Sequence, residues 1–230
     1  MQSNTIFVKK YRENEISQIN ENEIWRYAGY KGSPNEINRE LIKVLEEVKK
    51  DLIGAFSYKV CYRRMELKWE NSEPLLPFSS NSKSLVRLLT DCNEIILFAA
   101  TIGLETDRYI AKQQKISPVK ALIANAYGAE RIERLCDAFG DCLQKDLESE
   151  NLFTTKRFSP GYGDLPLKAQ IEIFNLLDCS RQIGVSLNES LLMSPSKSVT
   201  AIMGLKKAKC ENKTADKCKE CTNHGCEFRK

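Results

Sequence analysis

Two groups of residues in this 230-residue chain have types and spacings that can do chemistry. The first is the run Arg157-Phe158-Ser159-Pro160-Gly161-Tyr162-Gly163-Asp164-Leu165-Pro166. Proline removes backbone donors and glycine raises the entropic cost of order, so this run is a stiff loop with accessible backbone, not helix or central strand. The Arg157 guanidinium offers paired donors that suit a planar carboxylate. Tyr162 offers a flat face and a hydroxyl, either for a ligand or for anchoring the loop by packing. Gly161 and Gly163 either let backbone amides approach a ligand or serve turn geometry alone. Asp164 either pairs with a ligand amine or caps the helix that begins near Pro166.

The second group is Cys210, Cys218, Cys221 and Cys226, spaced Cys-x7-Cys-x2-Cys-x4-Cys. Four thiolates this close have the ligand count of a tetrahedral site, and sulfur-only ligation admits either zinc or an iron–sulfur cluster. The other cysteines, Cys61, Cys92, Cys136, Cys142 and Cys179, sit among apolar residues and read as small core filler. The single histidine, His224, falls in the cysteine-rich tail and is no general base, so no catalytic triad is expected.

Composition narrows the classes. The chain carries a net charge of +4, and from Lys206 onward eight Lys or Arg face four acids, which leaves twenty-seven of each in the preceding body. A neutral body argues against a nucleic-acid surface. The longest apolar run, Ile95 to Leu104, holds about ten residues, half of what a membrane span needs. No charged-then-apolar leader pattern opens the chain, so a cytoplasmic protein with reduced thiols is expected.

These groups need elements to position them. Ser33-Pro34-Asn35-Glu36 reads as a capping box before a helix with Ile37, Leu41, Val44, Leu45, Val48 and Leu52 on one face and Gly54 at its end. Val60, Tyr62, Met65, Leu67 and Trp69 alternate as one or two strands before a Pro74–Pro77 loop. A short helix over Ser84–Leu89, a buried strand over Glu94–Ile102 and a short helix over Thr106–Gln113 follow. Ser117-Pro118 then starts a long helix with Leu122, Ala126, Ala129, Ile132, Cys136, Phe139 and Leu143 inward. Within it, Gly128 and Gly140 mark close packing or a bend. Leu167–Ile183 reads as one helix with Ile171, Phe174, Leu177 and Ile183 inward and Gly184 as its left-handed cap. Leu187–Met193 and Ser198–Gly204 read as two strands. Strands and helices without regular alternation predict an α+β fold with a largely antiparallel sheet.

The loop and the later segment Pro195-Ser196-Lys197-Ser198-Val199 together resemble the cobalamin-dependent methionine synthase activation domain, in its stand-alone form. That family carries an Arg-x-x-Pro-Gly-Tyr loop and a Pro-x-x-Ser-Val strand entry. Tyr30-Lys31-Gly32, Leu97 to Gly103 and Gly128-Ala129-Glu130 are similar to it as well. The resemblance spans residues 25–205 and implies a C-shaped single domain around a twisted sheet with flanking helices. Residues 1–24 are then an N-terminal extension and 206–230 a metal-binding tail.

The resemblance also implies a function, reactivation of a cobalamin-dependent methionine synthase core that lacks its own activation domain. Oxidised cob(II)alamin on that partner is reduced by an external donor such as a flavodoxin or ferredoxin and methylated by S-adenosylmethionine. It places the ligand cleft against Arg157, Ser159, Pro160, Gly161, Tyr162, Gly163 and Asp164, with Ser196, Lys197 and Ser198 at the strand entry. Glu130, Glu133 and Asp137, on one helix, are candidates for its acidic contacts. The chain departs from the family where Ala201, Ile202 and Met203 replace Gly-Trp-Tyr. That departure keeps a second reading open, a corrinoid-docking or electron-transfer module that does not itself bind S-adenosylmethionine.

Overall fold

A computed structural model describes residues 5–32 and 36–207 of the chain. Its centre is an antiparallel sheet built on β5 (Glu94–Thr101), which is flanked by β2 (Tyr58–Glu66) and β9 (Ser198–Lys206). Outside these lie β1 (Phe7–Tyr11) on β2 and the two-residue β6 (Phe153–Thr154) on β9. The fold is α+β, as expected. Among the described residues three α-helices precede β5: α1 (Glu21–Tyr27), α2 (Arg39–Leu52) and α3 (Lys83–Leu89). Four follow it: α4 (Glu105–Ile116), α5 (Pro118–Glu148), α6 (Ala169–Leu177) and α7 (Cys179–Ile183). No described helix is long and apolar enough to cross a membrane.

The run of apolar residues in β5 follows from its place between two strands and two helical layers. Ile95, Leu97 and Ala99 face a core built with α3, α6 and α7, while Ile96, Phe98 and Ala100 face a second core built with α5. A strand covered on both faces has no polar side to show. A third cluster joins α1 and α2 to the first half of α5 through Ile24, Leu45, Val48 and Tyr127. The long helix α5 therefore contacts the sheet with one half and the N-terminal helices with the other.

The N-terminal residues are woven into this scaffold. Phe7 pairs with Tyr62 and Tyr11 with Tyr58 in the β1–β2 ladder. The following segment is held by a buried ion pair on α5, Glu130 with Arg131 at 2.7 Å, both side chains 1% exposed. Arg131 also donates to the Ser17 carbonyl and pairs with Glu13, and Glu130 accepts from the Asn20 amide at 2.9 Å and from Arg134. Each buried charge is thus satisfied several times over, which is the condition for tolerating it.

Several local expectations change. Residues 33–35 of the capping box lie outside the described residues; α2 starts at Arg39, where Asn38 accepts from the Glu40 amide as its cap. The stretch before Pro77 contains a hairpin of β3 (Lys68–Glu70) and β4 (Glu73–Leu75). The expected helix 167–183 is two, because Asp178 adopts a left-handed conformation at φ 47° and ends the first. The expected strand 187–193 is a turn between β7 (Ser186–Leu187) and β8 (Met193–Ser194). There the Asn188 carboxamide accepts from the Ser190 and Leu192 amides, a local bond that competes with extension. Leu122 and Ile171, assigned inward, are exposed. Gly128 marks a close approach, since a Cβ there would press on Thr106 and Lys197, whereas Gly140 meets nothing.

Removing one member of the buried pair tests its role. Glu130→Ala leaves Arg131 with Glu13 as its one remaining carboxylate and frees the Asn20 amide, and is expected to cost up to about 3–5 kcal/mol, read as a lower midpoint in urea unfolding. An unchanged midpoint would show that the N-terminal segment does not depend on the pair.

Candidate functional site

The loop is delivered to its place by backbone pairing. Phe153 and Thr154 pair with Lys206 and Leu205, the Thr155 amide donates to the Gly204 carbonyl, and Phe158 and Ile202 exchange both backbone bonds at 2.9 Å. The segment 153–158 therefore runs beside β9 as far as Ile202 and then turns away. At that point Arg157 meets α5, donating to Asp137 at 2.7 Å and to Glu133 at 2.5 Å. Burial opposes the Arg157 charge, and Cys136, Asp137 and Glu133 together outweigh it, so its pKa stands above the ordinary value.

Beyond Ile202 the loop and β9 diverge and enclose a cleft of about 790 Å³. Arg157, Ser159, Pro160 and Tyr162 form one wall, and Ser198, Val199 and Thr200 form the floor. The opposite wall is the turn carrying Asn188, Leu191, Leu192 and Met193, with Ser196 at its end. A smaller cleft of about 390 Å³ lies on the other side of Arg157, and the two share Glu133, Arg157 and Tyr162. Arg26, Arg134, Glu130 and Asp137 line the smaller one. Glu130 is its deep edge, already engaged in the buried pair described above.

The sequence-derived residues divide into two sets. Arg157, Ser159, Pro160, Tyr162, Ser196 and Ser198 line the larger cleft, whereas Gly161, Gly163, Asp164 and Lys197 shape its frame. Gly161, at φ 90°, donates its amide to the Leu165 carbonyl and closes the turn. Gly163, at φ 56°, lies against the Phe158 ring. Asp164 caps a helix, though not the nearby one: it accepts from Ser82 Oγ and from the Lys83 and Ser84 amides at the start of α3. The Ser82 hydroxyl bond, with these amides, holds its carboxyl down at about 2. The loop is thereby tied to a helix some eighty positions earlier in the chain.

The strand entry is anchored from the other side. Ser196 donates its amide to Asp107 on α4 at 2.7 Å and its hydroxyl to the same carboxylate. Lys197 points to α5, donating to Asn125 at 2.6 Å, and burial lowers its pKa. Ser198 donates to the Pro195 carbonyl at 2.8 Å, with the peptide before Pro195 in the cis form. Ala201, Ile202 and Met203, where the sequence departs from the family, are buried in β9 and belong to the two cores rather than the cleft.

Gln170 is the cleft residue that periodicity misses. It is 3% exposed, donates to the Leu191 carbonyl at 2.9 Å and accepts from Thr200, so it links the floor to the far wall. A glutamine next to Ile171 on a helix reads as outward, yet here its amide is satisfied inside and Ile171 is turned out. The apolar turn residues Leu191 and Leu192 likewise read as strand from sequence. Among the described residues no group of three His, Cys, Asp or Glu side chains is placed to hold a metal, and Cys210, Cys218, Cys221 and Cys226 lie outside those residues.

Comparison with solved structures finds the same fold in the crystal structure of the MetH reactivation domain bound to AdoHcy, at a TM-score of 0.59 and 16% identity, over 90% of this chain and 80% of that one. No curated protein sequence matches the chain. The family model described as "Vitamin B12 dependent methionine synthase, activation domain" matches residues 90–215, a span that includes both walls and the floor of the larger cleft. With more than half of its length matched by that model, the chain belongs to the vitamin B12-dependent methionine synthase activation domain family.

Proposed function

We propose that this protein reactivates a cobalamin-dependent methionine synthase core, holding S-adenosylmethionine in the larger cleft and offering its methyl group to the partner's cobalamin. The observation that carries the reading is the pair of Arg157 and Glu133 on the wall of a cleft whose remaining lining is largely apolar, with Asp137 holding Arg157 from the side of the smaller cleft. A ligand with an amino-acid head and a nucleoside body fits such a site in class. A guanidinium has five N–H donors, more than its bonds to Asp137 and Glu133 consume, so Arg157 retains capacity for a carboxylate. Glu133 supplies negative charge for an ammonium, while Leu191, Leu192 and Val199 offer apolar contact area to the rest. The fold neighbour solved with AdoHcy supports the same ligand class.

When bound, S-adenosylmethionine supplies an electrophilic methyl group, and methyl transfer of this kind depends on alignment and exclusion of water more than on proton transfer. The chain's contribution is therefore placement. Arg157 orients the head group, Gln170 and Thr200 fix the distance between floor and wall, and the loop and turn shield the ligand from solvent. Tyr162, Leu167 and Leu192 are exposed at the cleft and present an apolar rim to a flat partner such as a corrin. The partner in this reading is a synthase core lacking its own activation domain, and the reducing electron comes from an external flavodoxin or ferredoxin. The four clustered cysteines, by their spacing, add a zinc or iron–sulfur centre in residues 206–230.

Calorimetry is expected to show S-adenosylmethionine binding, strengthened when a cobalamin-loaded synthase core is present. Arg157→Ala should weaken it by about tenfold to a hundredfold, the equivalent of one charged hydrogen-bonding contact. Absence of binding in both states would favour the docking or electron-transfer reading instead. In the same mixture with a chemical reductant, the cob(II)alamin spectrum should convert to that of methylcobalamin only when both the protein and S-adenosylmethionine are present. Metal analysis after anaerobic purification should give one centre per chain, lost on replacing Cys218 and Cys221 by serine; substoichiometric metal indifferent to those changes would remove the tail centre from the proposal.

A further inference from the structure

A second pair of reactive side chains lies away from the cleft, between the edge strand and the long helix. Lys9, on β1, places its Nζ 2.5 Å from Cys142 Sγ on α5, shorter than an ordinary N–H···S hydrogen bond. Lys9 and Cys142 are both half-buried, whereas Cys61, Cys92, Cys136 and Cys179 are buried. Cys142 is therefore the one described cysteine that a small oxidant in solvent can reach. Asp146, one helical turn on, has a carboxylate oxygen 4.0 Å from the same sulfur. The Tyr11 ring lies under the Lys9 ammonium, and its hydroxyl is a buried oxygen without a hydrogen-bond partner.

We propose that Lys9 and Cys142 form a reversible sulfur–nitrogen cross-link when the protein meets hydrogen peroxide. Peroxide reacts with a cysteine as its thiolate, and a touching ammonium is the counter-ion for that charge. In the first step Cys142 Sγ attacks one peroxide oxygen; the S–O bond forms, the O–O bond breaks, and water leaves. In the second, the Lys9 amine attacks the sulfenic sulfur; the S–N bond forms, the S–O bond breaks, and the hydroxyl leaves as a second water. Sulfur loses two electrons and one peroxide becomes two waters; counted from the thiol and the ammonium, one proton passes to solvent, the one lost when the thiolate forms.

The geometry favours this outcome over further oxidation. The hydrogen bond to Cys142 is the main cause of the raised Lys9 pKa, and partial burial pulls the other way. Converting the thiol to a sulfenic acid leaves the electrophilic sulfur beside the Lys9 nitrogen, which attacks once it has given up its proton. A thiol with no amine in reach proceeds instead toward the sulfinic acid, which is irreversible in most proteins.

The test is peptide mapping by mass spectrometry of the full-length protein after brief treatment with hydrogen peroxide. The expected product joins the Lys9 peptide to the Cys142 peptide, lighter by two hydrogens than their sum, and dithiothreitol restores both. In Lys9→Arg the joined peptides should vanish and Cys142 should accumulate as sulfenic or sulfinic acid; in Cys142→Ser neither should appear. Joined peptides that have also gained an oxygen would overturn the sulfur–nitrogen bond. An unmodified Lys9 peptide in the wild-type chain, with Cys142 intact, oxidised alone or disulfide-linked to another cysteine, would overturn the cross-link.

Discussion

The whole cleft depends on the short backbone pairing between the segment 153–158 and β9. β9 is bonded to β5 along one side, so its position is fixed by the centre of the sheet. The segment 153–158 takes its backbone course from β9 until Phe158 meets Ile202, while Gln144 and the acids of α5 hold Thr154 and Arg157 from the side. Where the pairing stops, the two chains separate at a defined point. The opening between them is the cleft, with Phe158 the last paired residue and Arg157, just ahead of it, on the cleft wall.

A cavity made by diverging strands needs its free ends pinned. Asp164 pins the loop to the start of α3, Asp107 pins the strand entry to α4, and Gln170 ties the turn at Leu191 to Thr200. Each tie uses a polar side chain from a different helix or loop. The site is thus held by hydrogen bonds spread around its rim, while the apolar cores lie behind it and carry the stability.

Much of the scaffold was legible because periodicity reports burial. β5, α3, α4 and α5 fall close to where apolar spacing and the Ser117-Pro118 start place them. The stiff loop was legible as well, since no other structure accommodates Pro160, Gly161 and Gly163 together. What could not be read was set by local polar bonds and by contacts distant in sequence. Asn188 converts an apparent strand into a turn by capturing two amides, and Gln170 rotates α6 by finding partners indoors. Neither act leaves a mark on an apolar–polar pattern. The partners of Arg157 were visible only as acids on a helix; that two of them stand one turn apart opposite the loop depends on how α5 crosses the sheet. The departure from the family at Ala201–Met203 proves to lie in the cores, where bulk and apolarity are what the strand requires.

The order of the sheet also bears on how the protein keeps to itself in a crowded solution. An open sheet has two rims of unpaired peptide groups, each a template for another chain's strand. One rim here is the two-residue β6, too short to recruit a neighbour securely. The other is β1, where the apolar Phe7 and Val8 are followed at once by Lys9 and Lys10. Adding a copy of the same edge would bring the exposed Lys10, with Lys9 beside it, onto like charge, which discourages pairing along the longer of the two described rims.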